Sequence, residues 1–165
     1  MILENERLDE LHRKGYKIIQ DPNRFCFGMD AVLLSAFARV KRDERVLDIG
    51  TGTGIIPILM EARYGGEKYI GIEIQEDVAD MAARSVKYNN LEDKIIIDNA
   101  DIKDALKMYG SGNFDVITTN PPYMTVDKGL VNPNDTKALS RHELSVTLED
   151  IVRISSQILK NKGRF

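Results

Sequence analysis

Cysteine occurs once in these 165 residues, tryptophan never, and histidine only at positions 12 and 142. The lone Cys26 rules out an internal disulfide and reads as a small buried apolar residue. Two separated histidines with no second cysteine give no metal-ligand spacing, so no metal is expected. Long apolar runs are also missing. IIPILM at 55–60 falls far short of the ~20 residues a membrane helix requires. The opening MILENERLDELHRK is too charged for a secretory leader. These absences predict a soluble, cytoplasmic protein with no membrane partner. No sign of charge dominates either: 23 basic residues against 26 acidic ones give −3, so net charge does not draw the molecule to nucleic acid. Any such affinity is local. Residues 7–24 hold five Lys/Arg against three acids, and 39–45 hold four against two; solvated helix ends explain such clusters equally well.

What is present suffices for one core. The sequence is 42% apolar, and a chain of ~150 residues hides about 70% of its unfolded surface. From residue 45 onward, short β-branched runs alternate with helical ones. RVLDI (45–49), KYIGIEI (68–74), KIIID (94–98) and FDVITT (114–119) predict four strands. Between them lie ILMEARYG, closing on Gly65, then EDVADMAARSVKYNN, then DIKDALKMYG, closing on Gly110. Such alternation predicts an α/β fold, a doubly wound parallel sheet covered on both faces. Thr147 and Asp150, in the spacing of a capping box, start a last helix with Leu148, Ile151, Val152, Ile158 and Leu159 on one stripe, ending near Gly163.

Upstream, residues 4–14 predict a helix stopped by Gly15, YKIIQ a short extended piece, and MDAVLLSAFARV a helix buried nearly all round. The chain accordingly divides into an N-terminal helical, substrate-side extension over 1–44 and a core over 45–165, incomplete at its C-terminus. GRF at 163–165 stands where a fifth strand should begin. The fourth strand is therefore expected to be an uncovered edge, able to recruit a second copy, and the natural protein to be longer.

Three strand ends carry groups suited to a ligand. VLDIGTGTGIIP puts Gly50, Gly52 and Gly54 at the turn after the first strand, where the backbone can approach a ligand closely. Ile55 follows Gly54, so the G-x-G-x-x-G fingerprint is imperfect and a dinucleotide is disfavoured. Glu73 ends the second strand, where a carboxylate can accept from both hydroxyls of a ribose. Asp101 follows the third strand, placed to meet an adenine amino group. Each acid alone reads more readily as a helix-leading carboxylate than as a ligand contact. Together they mark the carboxyl edge of the sheet, the ligand edge of open α/β folds. TTNPPYM (118–124) puts Asn120 at the end of the fourth strand, beside the first.

DIGTGTG, the acid of GIEI, NADI and NPPY, in this order over 46–123, resemble the class I S-adenosylmethionine-dependent methyltransferases that modify exocyclic or amide nitrogens. FCFGMDAVLLSAF (25–37) and SRHEL (140–144) resemble, more narrowly, the bacterial tRNA1(Val) adenine-N6 methyltransferase group. The resemblance implies a Rossmann-like sheet of the seven-stranded type, of which this chain would hold the first four strands and their helices. It implies S-adenosyl-L-methionine as cofactor, tRNA as partner, and methylation of the adenine beside the anticodon of valine tRNA. It implies cofactor contacts at Asp30, Asp48, Gly50, Thr51, Gly52, Gly54, Glu73, Ile74, Asp101, Ile102 and Asn120, and catalytic roles at Asn120, Pro121, Pro122 and Tyr123.

NPPY has a physical reason in that setting. An aromatic amine shares its lone pair with the ring and attacks a sulfonium methyl poorly until two acceptors hold its hydrogens. The Asn120 side-chain oxygen is one, and the Pro121 carbonyl is the other, aimed by prolines that fix φ and extend the residue before each. Tyr123 offers a face on which a flipped-out base can stack, worth ~1–3 kcal/mol. Arg141, His142 and Glu143 read as substrate-loop positioning or a local ion pair. Three rivals stand beside this reading: a guanine amine in ribosomal RNA, a glutamine amide in a release factor, and a non-catalytic module that binds cofactor or RNA.

Overall fold

Five parallel strands in one sheet, flanked by helices on both faces, carry the fold; the computed structural model describes residues 2–23, 26–121 and 146–165. A hairpin of β1 (Arg7–Glu10) and β2 (Lys17–Gln20) comes first, then α1 (Met29–Phe37). The alternating part follows: β3 (Arg45–Ile49), α2 (Ile55–Tyr64), β4 (Lys68–Glu73), α3 (Glu76–Tyr88) and β5 (Ile95–Asn99). A short 3-10 turn (Ile102–Asp104) runs into α4 (Ala105–Tyr109), followed by β6 (Phe114–Thr119), α5 (Leu148–Ile158) and β7 (Leu159–Arg164).

The sheet order is β5-β4-β3-β6-β7, every pair parallel. From β3 the chain steps outward to β4 and β5, then returns across the sheet to β6 on the other side of β3. Alternation along the strands sends side chains to two cores. Val46, Tyr69, Ile95 and Val116 pack with α1, α2 and α3 residues, whereas Leu47, Ile70, Ile117 and Phe114 meet Ile102, Ala105, Ile151, Ile154 and Ile158. Reversal of direction at β3 makes the carboxyl ends of β3 and β6 the switch point of the sheet, the crevice in which open α/β sheets bind ligands.

Five expectations change. Residues 4–14 are not a helix: Arg7–Glu10 pairs antiparallel with Lys17–Gln20, because β2 gains more from burial in the fold than an 11-residue helix gains alone. Ile18 and Ile19 are both 0% exposed. The residue 1–44 region is thus a hairpin plus one helix. Second, α1 is covered on one side only; Ala31 and Ser35 are buried while Met29, Leu33 and Phe37 stand exposed. Third, the last helix stops at Ile158, and the buried stripe is Ile151, Ile154, Ser155 and Ile158, with Leu148 and Val152 exposed. Thr147 and Asp150 do form the capping box. Fourth, Leu159 turns extended and β7 pairs with β6 through a bulge. The fourth core strand is therefore covered, and the predicted association through its open edge loses its basis. Cys26 is half-buried rather than in the core. Among the described residues no helix is long and apolar enough to cross a membrane, and no group of His, Cys, Asp or Glu could hold a metal ion.

Candidate functional site

The turn after β3 is built by three left-handed residues, Gly50 (φ 66°), Gly52 (φ 57°) and Gly54 (φ 80°). Gly50 is exposed, and a side chain there would meet nothing within 4 Å, so the turn faces open space over the crevice. Gly54 is needed for a second reason. A Cβ there would lie 3.3 Å from Ala82 Cβ, and its absence lets α2 start close against α3. Pro57 sits in the first turn of α2, where its missing amide costs nothing.

Beneath the turn, Asp48 is fully buried and accepts a 2.7 Å hydrogen bond from Thr118 Oγ1 on β6. Burial pushes the Asp48 carboxyl up to about 7; Thr118 and, more weakly, Thr51 oppose that, and the charge of Glu73 adds to it. Its second oxygen closes no hydrogen bond, and neither do the buried hydroxyls of Thr51 and Thr53. One residue further along the two strands, Thr119 Oγ1 donates to the Ile49 carbonyl at 3.0 Å. Two hydroxyl clamps therefore fix the end of β6 to the end of β3. With Ile49 and Thr119 in register, Gly50 and Asn120 are the first residues past the ends of two adjacent strands.

Glu73 is buried at the end of β4. Its Oε2 accepts from the Gly52 amide at 3.0 Å and its Oε1 from the Gln75 amide at 3.0 Å. Each oxygen keeps a second lone pair, so the carboxylate shapes the glycine turn and retains acceptor capacity. Asn99, at the end of β5, donates from Nδ2 to the carbonyls of Glu73 (2.9 Å) and Ile74 (3.1 Å). Asp101 is half-buried and caps the 3-10 turn by accepting from the Lys103 amide at 2.9 Å, with one oxygen left over. Ile74, just past β4, is 37% exposed, whereas Ile102 is buried in the core.

Beneath and beside the turn the fold thus makes two separate links, Asp48 to Thr118 and Glu73 to Gly52, with Thr51 buried and its hydroxyl unbonded, and Gly50, Asp101 and Asn120 at the rim formed by the same strand ends. Asp30 stands apart: it is exposed in the first turn of α1 and belongs to a different element. Pro121 is exposed at the exit of β6. Pro122, Tyr123, Arg141, His142 and Glu143 lie outside the described residues. Sequence reasoning missed Thr118, Thr119, Asn99 and Gly71. A Cβ on Gly71 would lie 2.7–2.9 Å from Thr51 side-chain atoms, so the glycine makes room for the turn. The signal for the threonines was there: two hydroxyls closing the otherwise apolar end of β6, directly before Asn120.

Chemically the rim is rich in acceptors. Glu73 ends β4, and Glu76, Asp77, Asp101 and Asp104 follow β4 and β5, with Lys103 the one cation among those positions. Such a rim suits a ligand with hydroxyl and amine donors and positive charge. A pyrophosphate, which needs donors and cations, fits poorly.

A family model described as methyltransferase small domain matches residues 15–165. A tRNA1(Val) (adenine(37)-N6)-methyltransferase from Bacteroides thetaiotaomicron is 34% identical over 154 residues, covering 92% of this chain and 62% of that protein. The chain spans less than two-thirds of the length of the curated relatives it matches. Among solved structures, TYW2 from P. horikoshii in complex with MeSAdo superposes with a TM-score of 0.66 at 20% identity, over 96% of this chain and 50% of that one. Geranyl diphosphate C-methyltransferase from Streptomyces coelicolor, bound to S-adenosyl-L-homocysteine, gives 0.62 at 18% identity, over 82% and 42%. The likeness to both establishes the Rossmann-like methyltransferase fold.

Proposed function

The chain belongs to the methyltransferase small domain family, and on that premise we propose that it carries the cofactor-binding and amine-holding part of an S-adenosyl-L-methionine-dependent N-methyltransferase. Its substrate is the exocyclic amine of an adenine in tRNA, beside the anticodon of valine tRNA. The observation that supports this reading is the register of β3 and β6, Ile49 opposite Thr119, so that the glycine turn and the Asn120–Pro121 exit leave adjacent strands at the same end of the sheet.

When bound, the cofactor supplies an electrophilic methyl group on a sulfonium. The acceptor-rich rim fits its donors. Glu73, already oriented by two amides, accepts from the ribose hydroxyls with its remaining lone pairs. Asp101 takes the adenine amine, and Ile74 offers that ring an apolar side. Asp48, Thr51, Gly50, Gly52 and Gly54 hold the turn against the ligand, while Ile102 packs under it. Asp30 offers an acceptor to an ammonium group from α1.

At the amine, the Asn120 side-chain oxygen and the Pro121 carbonyl accept the two hydrogens and turn the nitrogen lone pair out of the ring. Pro122 stiffens that carbonyl, and Tyr123 stacks the base. With the methyl delivered and the cofactor's sulfur left as a neutral thioether, the ammonium formed would shed a proton to water, so no strong base is required of this chain. Rate enhancement comes from proximity and from acceptors aimed in advance.

Asn120→Ala tests this. Turnover on unmodified tRNA should fall by at least 100-fold, with affinity for S-adenosylhomocysteine changed no more than a few-fold. Undiminished turnover contradicts the mechanism. Mass mapping of the methylated nucleoside separates adenine from a guanine or glutamine nitrogen, and cofactor binding without any transfer by the wild type favours a non-catalytic module.

A further inference from the structure

A second concave site lies at the far end of α2, a helix length from the glycine turn. The ten residues of α2 separate the two by ~15 Å. This depression, about 350 Å³, is lined by Lys14 from the hairpin turn, Arg42 from the loop before β3, and Arg63 from the last turn of α2. Three cations thus arrive from three separated segments, the same two basic stretches that stand out in the sequence plus one residue from the helix. A single acid, Glu61, shares the lining.

Glu61 is already taken. It is buried, and Lys14 Nζ donates to its two carboxylate oxygens at 3.1 and 3.3 Å and to its carbonyl at 3.4 Å. Lys14 is accounted for by that acid and by the negative end of the helix. Arg42 and Arg63 form no ion pair among the described residues, and the Nε of Arg63 is buried with no hydrogen-bond partner. A buried guanidinium donor without an acceptor is uncommon and marks a place where an acceptor belongs. Helix-end electrostatics accounts for the position of Arg63 in α2, but not for Arg42, which comes from another element. The lining carries three positive charges and one negative, in a chain whose overall charge is −3.

We propose that this pocket holds a backbone phosphate of the RNA substrate, away from the nucleotide that is methylated. Planar guanidinium forks match phosphate oxygens in geometry and charge, and contacts of this kind set the register of a nucleic acid without reading its sequence. A single RNA spans the interval between the crevice and the pocket. The inference rests on the reading that the substrate is RNA; inorganic phosphate is the other source of the same chemistry.

The test measures bulk tRNA binding from 50 to 300 mM KCl for wild type, R42A/R63A and R42K/R63K. The alanine pair should bind roughly tenfold more weakly at 100 mM and lower the slope of log Kd against log salt by roughly 1.5. The lysine pair should keep the slope, and affinity for S-adenosylhomocysteine should be the same in all three. Equal slopes in wild type and R42A/R63A overturn the proposal, as does an equal loss in the lysine pair, which marks a change of shape instead of charge. Inorganic phosphate that protects the pocket without competing with tRNA identifies a free-anion site and also overturns it. A wild type that binds S-adenosylhomocysteine and no tRNA removes the RNA substrate itself, a failure distinct from that of the pocket.

Discussion

At the scale of single residues, Asp48 ties stability to the site. It sits fully buried under the glycine turn with one oxygen bonded to Thr118 and the other unpaired. With a carboxyl raised from 3.8 to about 7, the folded state holds a proton that the unfolded state releases between those values. Stability therefore falls as pH rises from about 4 to 7. Asp48→Asn keeps an acceptor for Thr118 and removes the charge. Denaturant melts of the variant should be flat across that window, and above pH 7 it should exceed wild type by on the order of 2–4 kcal/mol. Parallel curves for the two proteins would mean that Asp48 ionises freely in the fold. Gly71 makes a second case. A Cβ there collides with Thr51 at 2.7–2.9 Å, so Gly71→Ala should cost about 1–3 kcal/mol and weaken S-adenosylhomocysteine binding by displacing the turn. Asp48 was legible in its motif and Gly71 was not, because nothing in the sequence says that Thr51 packs on β4.

At the scale of elements, the sequence is clearest where one strand or helix answers to its own pattern. β3, β4, β5 and β6 lie within a residue of the predicted runs, since each is β-branched, short and flanked by polar residues. The hairpin was illegible for the opposite reason: what holds β2 lies in α3. The Ile19 amide donates to Ser85 Oγ at 2.9 Å, the Lys17 amide to Asn89 Oδ1 at 2.9 Å, and Asn89 Nδ2 returns a bond to the Lys17 carbonyl at 2.7 Å. Those partners are 66 to 72 residues away. Leu8 and Leu11, three apart, imitate a helix face, and local pattern alone chose wrongly. Asn89→Ala should loosen the hairpin without melting the sheet. Hydrogen exchange at 17–20 should accelerate by roughly 10- to 100-fold, matching the loss of about 1–3 kcal/mol from two part-buried hydrogen bonds, while β3 and β4 amides stay protected. Uniform acceleration in the sheet as well would show that hairpin and core unfold together.

For the whole molecule, the two ends of the chain are tied to the core by carboxylates, and this sets the acid side of its stability. The Arg84 guanidinium holds Glu6 below the usual carboxylate range through 2.6 Å bonds across 78 positions. Arg164, at the end of β7, does the same for Glu44 at 2.7 and 3.0 Å, across 120 positions. Burial pushes Asp115 up, but the Arg45 amide and the Lys160 ammonium outweigh it and leave the group lowered. Such groups give stability that is full above their unfolded values of 4.5, 4.5 and 3.8 and is lost as pH falls through the lower folded ones. Asp48 acts in the opposite direction above about 4. The two limbs meet, so thermal stability should peak between about pH 4 and 5 and decline on both sides. Glu44→Gln should make the acid limb shallower, since Glu6 and Asp115 still contribute to it, release β7 from the loop before β3, and leave the decline toward pH 7 unchanged, since that limb belongs to Asp48. A Tm profile in which Glu44→Gln shifts both limbs equally would show that the Arg164 tie and the buried carboxylate under the glycine turn are one cooperative unit instead of two.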